Sequence, residues 1–296
     1  MSRIVDALRR VEQMKHEVGV VTRPDAAAAD LEALKPFALE KVGVNSVEPV
    51  AYRPHPENRL LVPGDKDWTG AERFKLLRYR LYRLREQRMM KSVLITSAIP
   101  KEGKTTVAAN LAISLAQASD RVLLVDADLR KPSLHSILGL RPAEGLSAHL
   151  QGQADLLNSL RRVDPLGFFF LPAGHPPANP VELLQGPSMR GAVEKAAALF
   201  DWVVIDSPPI LPVADGRFLA SLCDAVVVVL REEHSRQEDV REALLALKGT
   251  NMVGIVLNGS TSGARGAYSC YYPAPSPAEG TKRAGKLGGP LTRGQA

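Results

Sequence analysis

A glycine followed by lysine and threonine can hold a phosphate where a strand turns into a helix. The chain places Gly103-Lys104-Thr105-Thr106 at such a junction. Before it runs the apolar stretch Val93 to Thr96. After it comes a helical pattern over Thr105 to Ala118, with Val107, Leu111 and Leu115 on one face. Glycine lets the backbone approach the phosphates, and the helix start adds free N–H groups and the positive end of a dipole. Lys104 supplies a point charge to the β and γ phosphates, and the Thr105 hydroxyl is placed to ligate Mg²⁺. Ala98 stands at the first glycine of the usual loop, so the turn alone is a weak signal.

Two acidic strand ends strengthen it. Leu123-Leu124-Val125-Asp126-Ala127-Asp128 closes one apolar run, and Val203-Val204-Ile205-Asp206 closes another. Ligands of open α/β sheets bind outside the carboxyl ends of the strands, so the three carboxylates can converge on the phosphates. Asp126 and Asp128, two apart, point to one side of an extended chain. Mg²⁺ keeps most of its waters and needs only one or two carboxylates, directly or through water. Capping of a following helix is the plainer use of any one Asp. Three of them with the loop point to nucleotide chemistry.

Such a site needs a sheet beneath it. Phe168 to Leu171, Ala225 to Leu230 and Val253 to Leu257 add further short apolar runs, and helical stretches separate many of the six. Runs buried on both faces that alternate with helices predict a mostly parallel sheet flanked by helices, the α/β architecture of a P-loop NTPase. Phe168 to Phe170 reads as core strand rather than a base-stacking platform. Ahead of the sheet, Ile4, Leu8 and Val11 mark a short amphipathic helix, and Arg23 to Asp67 reads as linker with one helical stretch at Asp30 to Lys41. A basic helix over Thr69 to about Arg88 repeats Phe74, Leu77, Leu81 and Leu84 at steps of three and four. The tail beyond Ser262 is rich in Gly, Pro, Ala and Ser and is expected to be disordered. The expected division is an N-terminal extension at 1–68, a catalytic domain at 69–262 with its helix at 69–90, and a tail at 263–296.

The 296 residues carry a formal charge of +6. Two cysteines spell neither a disulfide nor a zinc framework, as expected of a reducing compartment. His135, His149 and His175 lack metal-ligand spacing. No apolar run approaches the roughly 20 residues of a bilayer span, so a cytoplasmic location is expected. Eight Lys or Arg face one acid, Glu86, between Arg73 and Lys91. Such a patch suits acidic partners, or simply a solvated face. It lacks the interleaved aromatics of a nucleic-acid surface, and no nucleic-acid partner is expected.

Several segments together resemble one family. Ile99-Pro-Lys101-Glu102-Gly103-Lys104-Thr105-Thr106 is similar to the Walker A loop of bacterial tyrosine kinases (BY-kinases) of capsule and exopolysaccharide synthesis. Asp126-Ala-Asp128-Leu-Arg130-Lys-Pro resembles their second Walker-type motif, and Asp206-Ser-Pro-Pro their Walker B. Gly145-Leu-Ser147, Leu171 to Gly174, Asn179 to Leu184 and Gly254 to Asn258 agree as well. Related partition and septum-positioning ATPases place a signature lysine at the loop position held here by Ile99.

The resemblance implies an ATP- and Mg²⁺-dependent protein-tyrosine autokinase. Lys101 to Thr106 would cradle the nucleotide and Asn258 would contact its purine. Asp126 would be the base that takes the tyrosine proton, with Asp128, Asp206 and Thr105 managing the metal, although the three aspartates can exchange roles. Arg130 would steady developing charge, or serve only in an ion pair. Tyr268, Tyr271 and Tyr272 would be the phosphate acceptors. Glu72, Lys75 and Arg78 would form the helix that packs between subunits of a ring, or else only an intrahelical pair; lysine at the middle position loses arginine's bidentate geometry. Implied partners are a separate membrane activator of the polysaccharide co-polymerase (chain-length determinant) type, which would hold the protein at the inner face of the membrane, and a phosphotyrosine phosphatase. Two alternatives stay open: a nucleotide-switched scaffold, and a positioning ATPase that transfers phosphate to water.

Overall fold

The computed structural model describes residues 47–61 and 68–260. The amphipathic Ile4–Leu8–Val11 segment, the helical stretch at Asp30 to Lys41 and the tail tyrosines lie outside the described residues. In chain order the elements are β1 (Pro49–Ala51), α1 (Trp68–Gln87), β2 (Ser92–Ser97), α2 (Lys104–Ala116), β3 (Val122–Asp126), α3 (Leu134–Ile137), α4 (Leu146–Leu150), β4 (Arg161–Asp164), β5 (Phe168–Leu171), α5 (Pro180–Gln185), α6 (Pro187–Leu199), β6 (Trp202–Asp206), α7 (Asp215–Leu222), β7 (Ala225–Arg231), α8 (Gln237–Ala246) and β8 (Met252–Asn258).

The strands form one sheet in the order β1-β4-β5-β3-β6-β2-β7-β8. All neighbours pair in parallel except β4 with β5. Every residue of β2, β3, β5 and β6 is buried. Successive side chains of a strand point to opposite faces. Accordingly Val226, Val228 and Leu230 join the core beneath α4 to α8, while Ala225, Val227 and Val229 join the core beneath α1 to α3. That two-sided burial is why these runs are continuously apolar rather than alternating.

Helix α2 is buried along nearly its whole length from Thr105 to Leu115, because α1 covers the side that the sheet does not. Of the α1 repeat, Leu81 is fully buried and Phe74, Leu77 and Leu84 pack partly against the same core. Full burial of one such side chain stabilises by roughly 1.5–3 kcal/mol. Arg78 adds a polar clasp, donating from its guanidinium to the Ser114 carbonyl of α2.

Two strands escape the sequence pattern. Pro49–Ala51 lies in the stretch expected to be linker, yet it pairs with β4, and the Tyr52 N–H donates to the Asp164 carbonyl at 2.9 Å. Val47 and Leu60 are buried beside it. A three-residue edge strand is held by backbone bonds to a distant partner and carries no period of its own. Strand β4, mixed Arg-Arg-Val-Asp, is hidden for the same reason. Residues 47–61 are therefore part of the sheet domain.

Candidate active site

The register of the sheet builds the site. Asp126 and Asp206 are direct partners across β3 and β6, and Ile95 pairs with Asp206 across β2 and β6. The carboxyl ends of three central strands thus lie side by side, with the loop from β2 to α2 above them. Lys101 (φ 69°) and Gly103 (φ 92°) adopt left-handed backbone there. A Cβ on Gly103 would stand 2.0 Å from Asn258 Nδ2, so glycine is required for space as well as for φ.

Lys104 Nζ reaches 3.2 Å from Asp128 Oδ2 and 3.5 Å from Asp206 Oδ1, and it lies 3.2 Å from the Thr105 hydroxyl. Burial alone would pull its ammonium down. Asp206, Asp128 and Asp126 outweigh that and hold it above the ordinary lysine value. Asp206 is fully buried, and neither of its oxygens has a hydrogen bond of good geometry. Desolvation pushes its carboxyl up, against the lowering influence of Lys104 and Thr105. Asp126 is pushed up too, by burial and then by the charge of Asp206. Two adjacent buried carboxylates resist ionising together.

Asp126 is also a cap. Its Oδ2 accepts from the N–H groups of Ser133 (3.2 Å) and Leu134 (3.0 Å) at the start of α3, and its Oδ1 accepts from the Asp128 N–H at 3.2 Å. The capping use expected of such residues therefore coexists with a place in the site. Arg130 is drawn elsewhere. It forms a bidentate pair, 2.7 and 3.3 Å, with the fully buried carboxylate of Asp215 at the start of α7. Asn258 donates to the Glu102 carbonyl at 3.0 Å and accepts from the Gly259 N–H at 2.9 Å. Lys101 and Thr106 stand in the loop and in the first turn of α2.

Among the described residues no group of three His, Cys, Asp or Glu side chains forms a ready-made metal cage. A hard cation that brings its own waters needs none. The two buried oxygens of Asp206, which have no hydrogen bond of good geometry and lie beside the Thr105 hydroxyl, fit such an ion.

The separated segments around the site also meet. The Leu146 and Ser147 N–H groups donate to the Pro172 and Ala173 carbonyls, each at 2.8 Å, which joins Gly145-Leu-Ser147 to the turn after β5. On α1, Glu72 and Lys75 pair at 2.7 Å on the helix surface, while Arg78 turns inward to α2. Sequence reasoning missed Asp215, Arg231, His234 and Ser235. They follow apolar or Pro-rich runs with no motif of their own, and only folding brings them to the loop and to Arg130.

A mostly parallel sheet with a Gly-Lys-Thr turn over paired strand-end aspartates defines a P-loop nucleotide-binding protein. The model of the CobQ/CobB/MinD/ParA nucleotide binding domain matches residues 93–267. The tyrosine-protein kinase YwqD of Bacillus subtilis is 36% identical over 205 residues, which is 68% of this chain and 86% of that protein. The tyrosine-protein kinase wzc of Salmonella typhimurium is 31% identical over 204 residues, 68% of this chain but only 28% of that protein. The kinase domain of Escherichia coli tyrosine kinase ETK superposes with a TM-score of 0.64 at 29% identity, covering 77% of this chain and 94% of the domain. The chain belongs to the CobQ/CobB/MinD/ParA nucleotide-binding family and, within it, to the bacterial tyrosine-protein kinases.

Proposed function

We propose that the protein uses ATP with Mg²⁺ to phosphorylate tyrosines of its own C-terminal segment, Tyr268, Tyr271 and Tyr272. The observation that carries this reading is the convergence of Lys104, Asp126, Asp128 and Asp206 under one phosphate loop. In this reading the loop amides and Lys104 hold the β and γ phosphates, and Asn258, whose amide keeps one hydrogen and one lone pair to spare, meets the purine. Thr105, Asp128 and Asp206 would hold the metal, which when bound neutralises charge on the phosphates. Asp126 orients the tyrosine hydroxyl and takes its proton as the phosphoryl group arrives. A hydroxyl with a pKa near 10 needs such a base, and burial that raises the Asp126 carboxyl makes it a better one. Arg130 steadies charge at the edge of the site from its seat on Asp215.

The other tyrosines support the choice of acceptor. Burial pushes the Tyr52 and Tyr82 hydroxyls up to about 12, and both are hydrogen-bonded, to the Leu61 carbonyl and to Asp120. Tyr79 is exposed, so it is the competing acceptor within the described residues. Ten residues from Asn258 to Tyr268 can span up to about 35 Å, so reach permits transfer within one chain or between neighbours. A ring through Glu72 and Lys75 on the surface of α1, with Arg78 committed to α2 of its own chain, favours the second. The segment from Thr261 holds five basic residues and one acid. Three phosphates at about −1.5 to −2 each would reverse its sign and change its docking and the oligomer. The wider setting proposed is capsule or exopolysaccharide synthesis, with a membrane activator of the chain-length-determinant type and a phosphatase that resets the cycle. Among the described residues no helix is long and apolar enough to cross a membrane.

The test is incubation with Mg–ATP, with and without the cytosolic segment of a neighbouring membrane activator, and mapping of phosphotyrosine by mass spectrometry. Phosphate on Tyr268, Tyr271 or Tyr272 that disappears in Lys104→Met is the expected result. Modification of Tyr79 alone would relocate the acceptor. ATP binding without phosphotyrosine would favour a nucleotide-switched scaffold. Phosphate release to water without modified tyrosine would favour a positioning ATPase.

A further inference from the structure

A phosphate cradle needs its amide N–H groups turned inward, which leaves its carbonyls facing outward and in want of donors. In this protein three consecutive loop carbonyls are met from outside by side chains of distant segments. The Pro100 carbonyl lies 3.2 Å from His234 Nε2, within reach of an Nε2–H donor. The Lys101 carbonyl accepts from Arg231 Nη1 at 3.3 Å, and the Glu102 carbonyl from Asn258 Nδ2 at 3.0 Å. The Glu102 side chain, fully buried, accepts from the Ile99 N–H at 2.9 Å and from the Ser235 hydroxyl.

Ser235 is the pin of this arrangement. Its hydroxyl donates to Glu102 while accepting the Arg231 N–H at 2.8 Å. The latter bond closes the short turn after β7, where Glu233 has a positive φ of 62° and the Ser235 N–H donates to the Arg231 carbonyl at 3.0 Å. One hydroxyl therefore fixes the turn that carries Arg231 and His234 and fastens that turn to the loop.

We propose that Glu102 and Ser235, with Arg231 and His234, form an outer bracket that presets the phosphate loop for ATP. Their side chains are positioning groups that act through the loop; of the four residues only Glu102 belongs to the cradle itself, and it does so through its backbone. The inference rests on the reading of the loop as an ATP site but not on tyrosine as the acceptor.

The test uses the full chain and a fluorescent ATP analogue with Mg²⁺, read by equilibrium titration, together with the KM for ATP and the kcat of phosphotyrosine formation. Glu102→Ala and Ser235→Ala are each expected to weaken analogue binding about tenfold, the scale of one lost buried hydrogen bond. KM should rise in parallel while kcat at saturating ATP changes little. Because the two changes share one bond, the loss in the double variant should fall short of the product of the single losses. Ser235→Thr, which keeps the hydroxyl, should restore binding, and Glu102→Gln, which keeps an acceptor for the Ile99 N–H but turns its own N–H toward Ser235, should fall between the native protein and Glu102→Ala; both cover the case in which an alanine variant fails to fold. Unchanged analogue affinity in both alanine variants would overturn the bracket. So would effects that multiply in the double variant, or a smaller active fraction with KM unaltered. The binding series decides the bracket even in a protein that forms no phosphotyrosine.

Discussion

Lys104 and Lys75 both sit beside carboxylates, and their surroundings give the two lysines different work. Lys104 pairs with Asp128 and Asp206 at a site where the three side chains are 12%, 9% and 0% exposed. Lys75 pairs with Glu72 on the surface of α1, at 45% and 29% exposure. Arg83 and Glu86, further along α1, are more open still. At the surface water solvates each partner about as well as the other does, and such pairs are worth about 0–1 kcal/mol. In the buried site the lysine is the counter-charge that lets ionised carboxylates remain, and removing it strands them. One region stores electrostatic potential for a ligand, and the other displays charge to solvent.

The largest test of that contrast is Lys104→Met. It should abolish phosphotyrosine formation and also destabilise the nucleotide-free protein by about 2–3 kcal/mol at pH 8. The sign with pH is fixed by the carboxylates. Without the lysine the Asp126 and Asp206 carboxyls rise further in the folded state, so stability is lost as pH climbs above the ordinary carboxylate range near 4. The deficit should therefore shrink between pH 8 and pH 5. Denaturant melts of both proteins at the two values check this, and a deficit that does not vary with pH would break the contrast.

Asp206→Asn should separate function from stability. It is expected to lower the phosphorylation rate by at least about a hundredfold, the scale of a lost electrostatic stabiliser. The nucleotide-free protein should change little in stability, because Lys104 loses one carboxylate but keeps Asp128, while a buried charge without good hydrogen bonds is removed. A clear drop in stability with activity retained would mean that Asp206 is structural.

Arg130→Ala sits between the extremes. It strips a fully buried carboxylate, Asp215, of a bidentate partner that is itself 38% exposed. After allowance for solvent around the guanidinium, the expected loss is about 1–2 kcal/mol, seen as a lower unfolding midpoint. Smallest of all, Lys75→Ala and Glu86→Ala should each shift stability by less than about 0.5 kcal/mol. If Lys75→Ala changes sedimentation while leaving stability intact, the residue serves an interface between copies rather than its own helix.

Much of the site was legible because its parts announce themselves locally. Gly103, Lys104 and Thr105 are contiguous, and Asp126, Asp128 and Asp206 end apolar runs whose two-sided burial the pattern already implied. The phenylalanines at 168–170 likewise read as core and are buried. What stayed hidden lacks local period. Strands β1 and β4 exist only through backbone pairing with partners far along the chain. The alternative left open for Arg130 turned on a neighbour that no spacing reveals, Asp215 at 85 residues' separation, and the partner of Asn258, Glu102, lies 156 residues away.

The sequence by itself determined which strands are buried on both faces, where the chain turns from strand to phosphate loop to helix, and which acids end those strands. Short-range sterics and hydrophobic burial settle those matters. Tertiary structure alone decided that Asp126 and Asp206 stand in register, so that the charge of Asp206 helps push the Asp126 carboxyl up, that Arg78 clasps α2 while Lys75 faces water, and that Ser235 fastens a distant turn to the loop. Register, burial of charge and the satisfaction of outward carbonyls depend on which segments meet, and that is fixed only when the whole sheet closes around its helices.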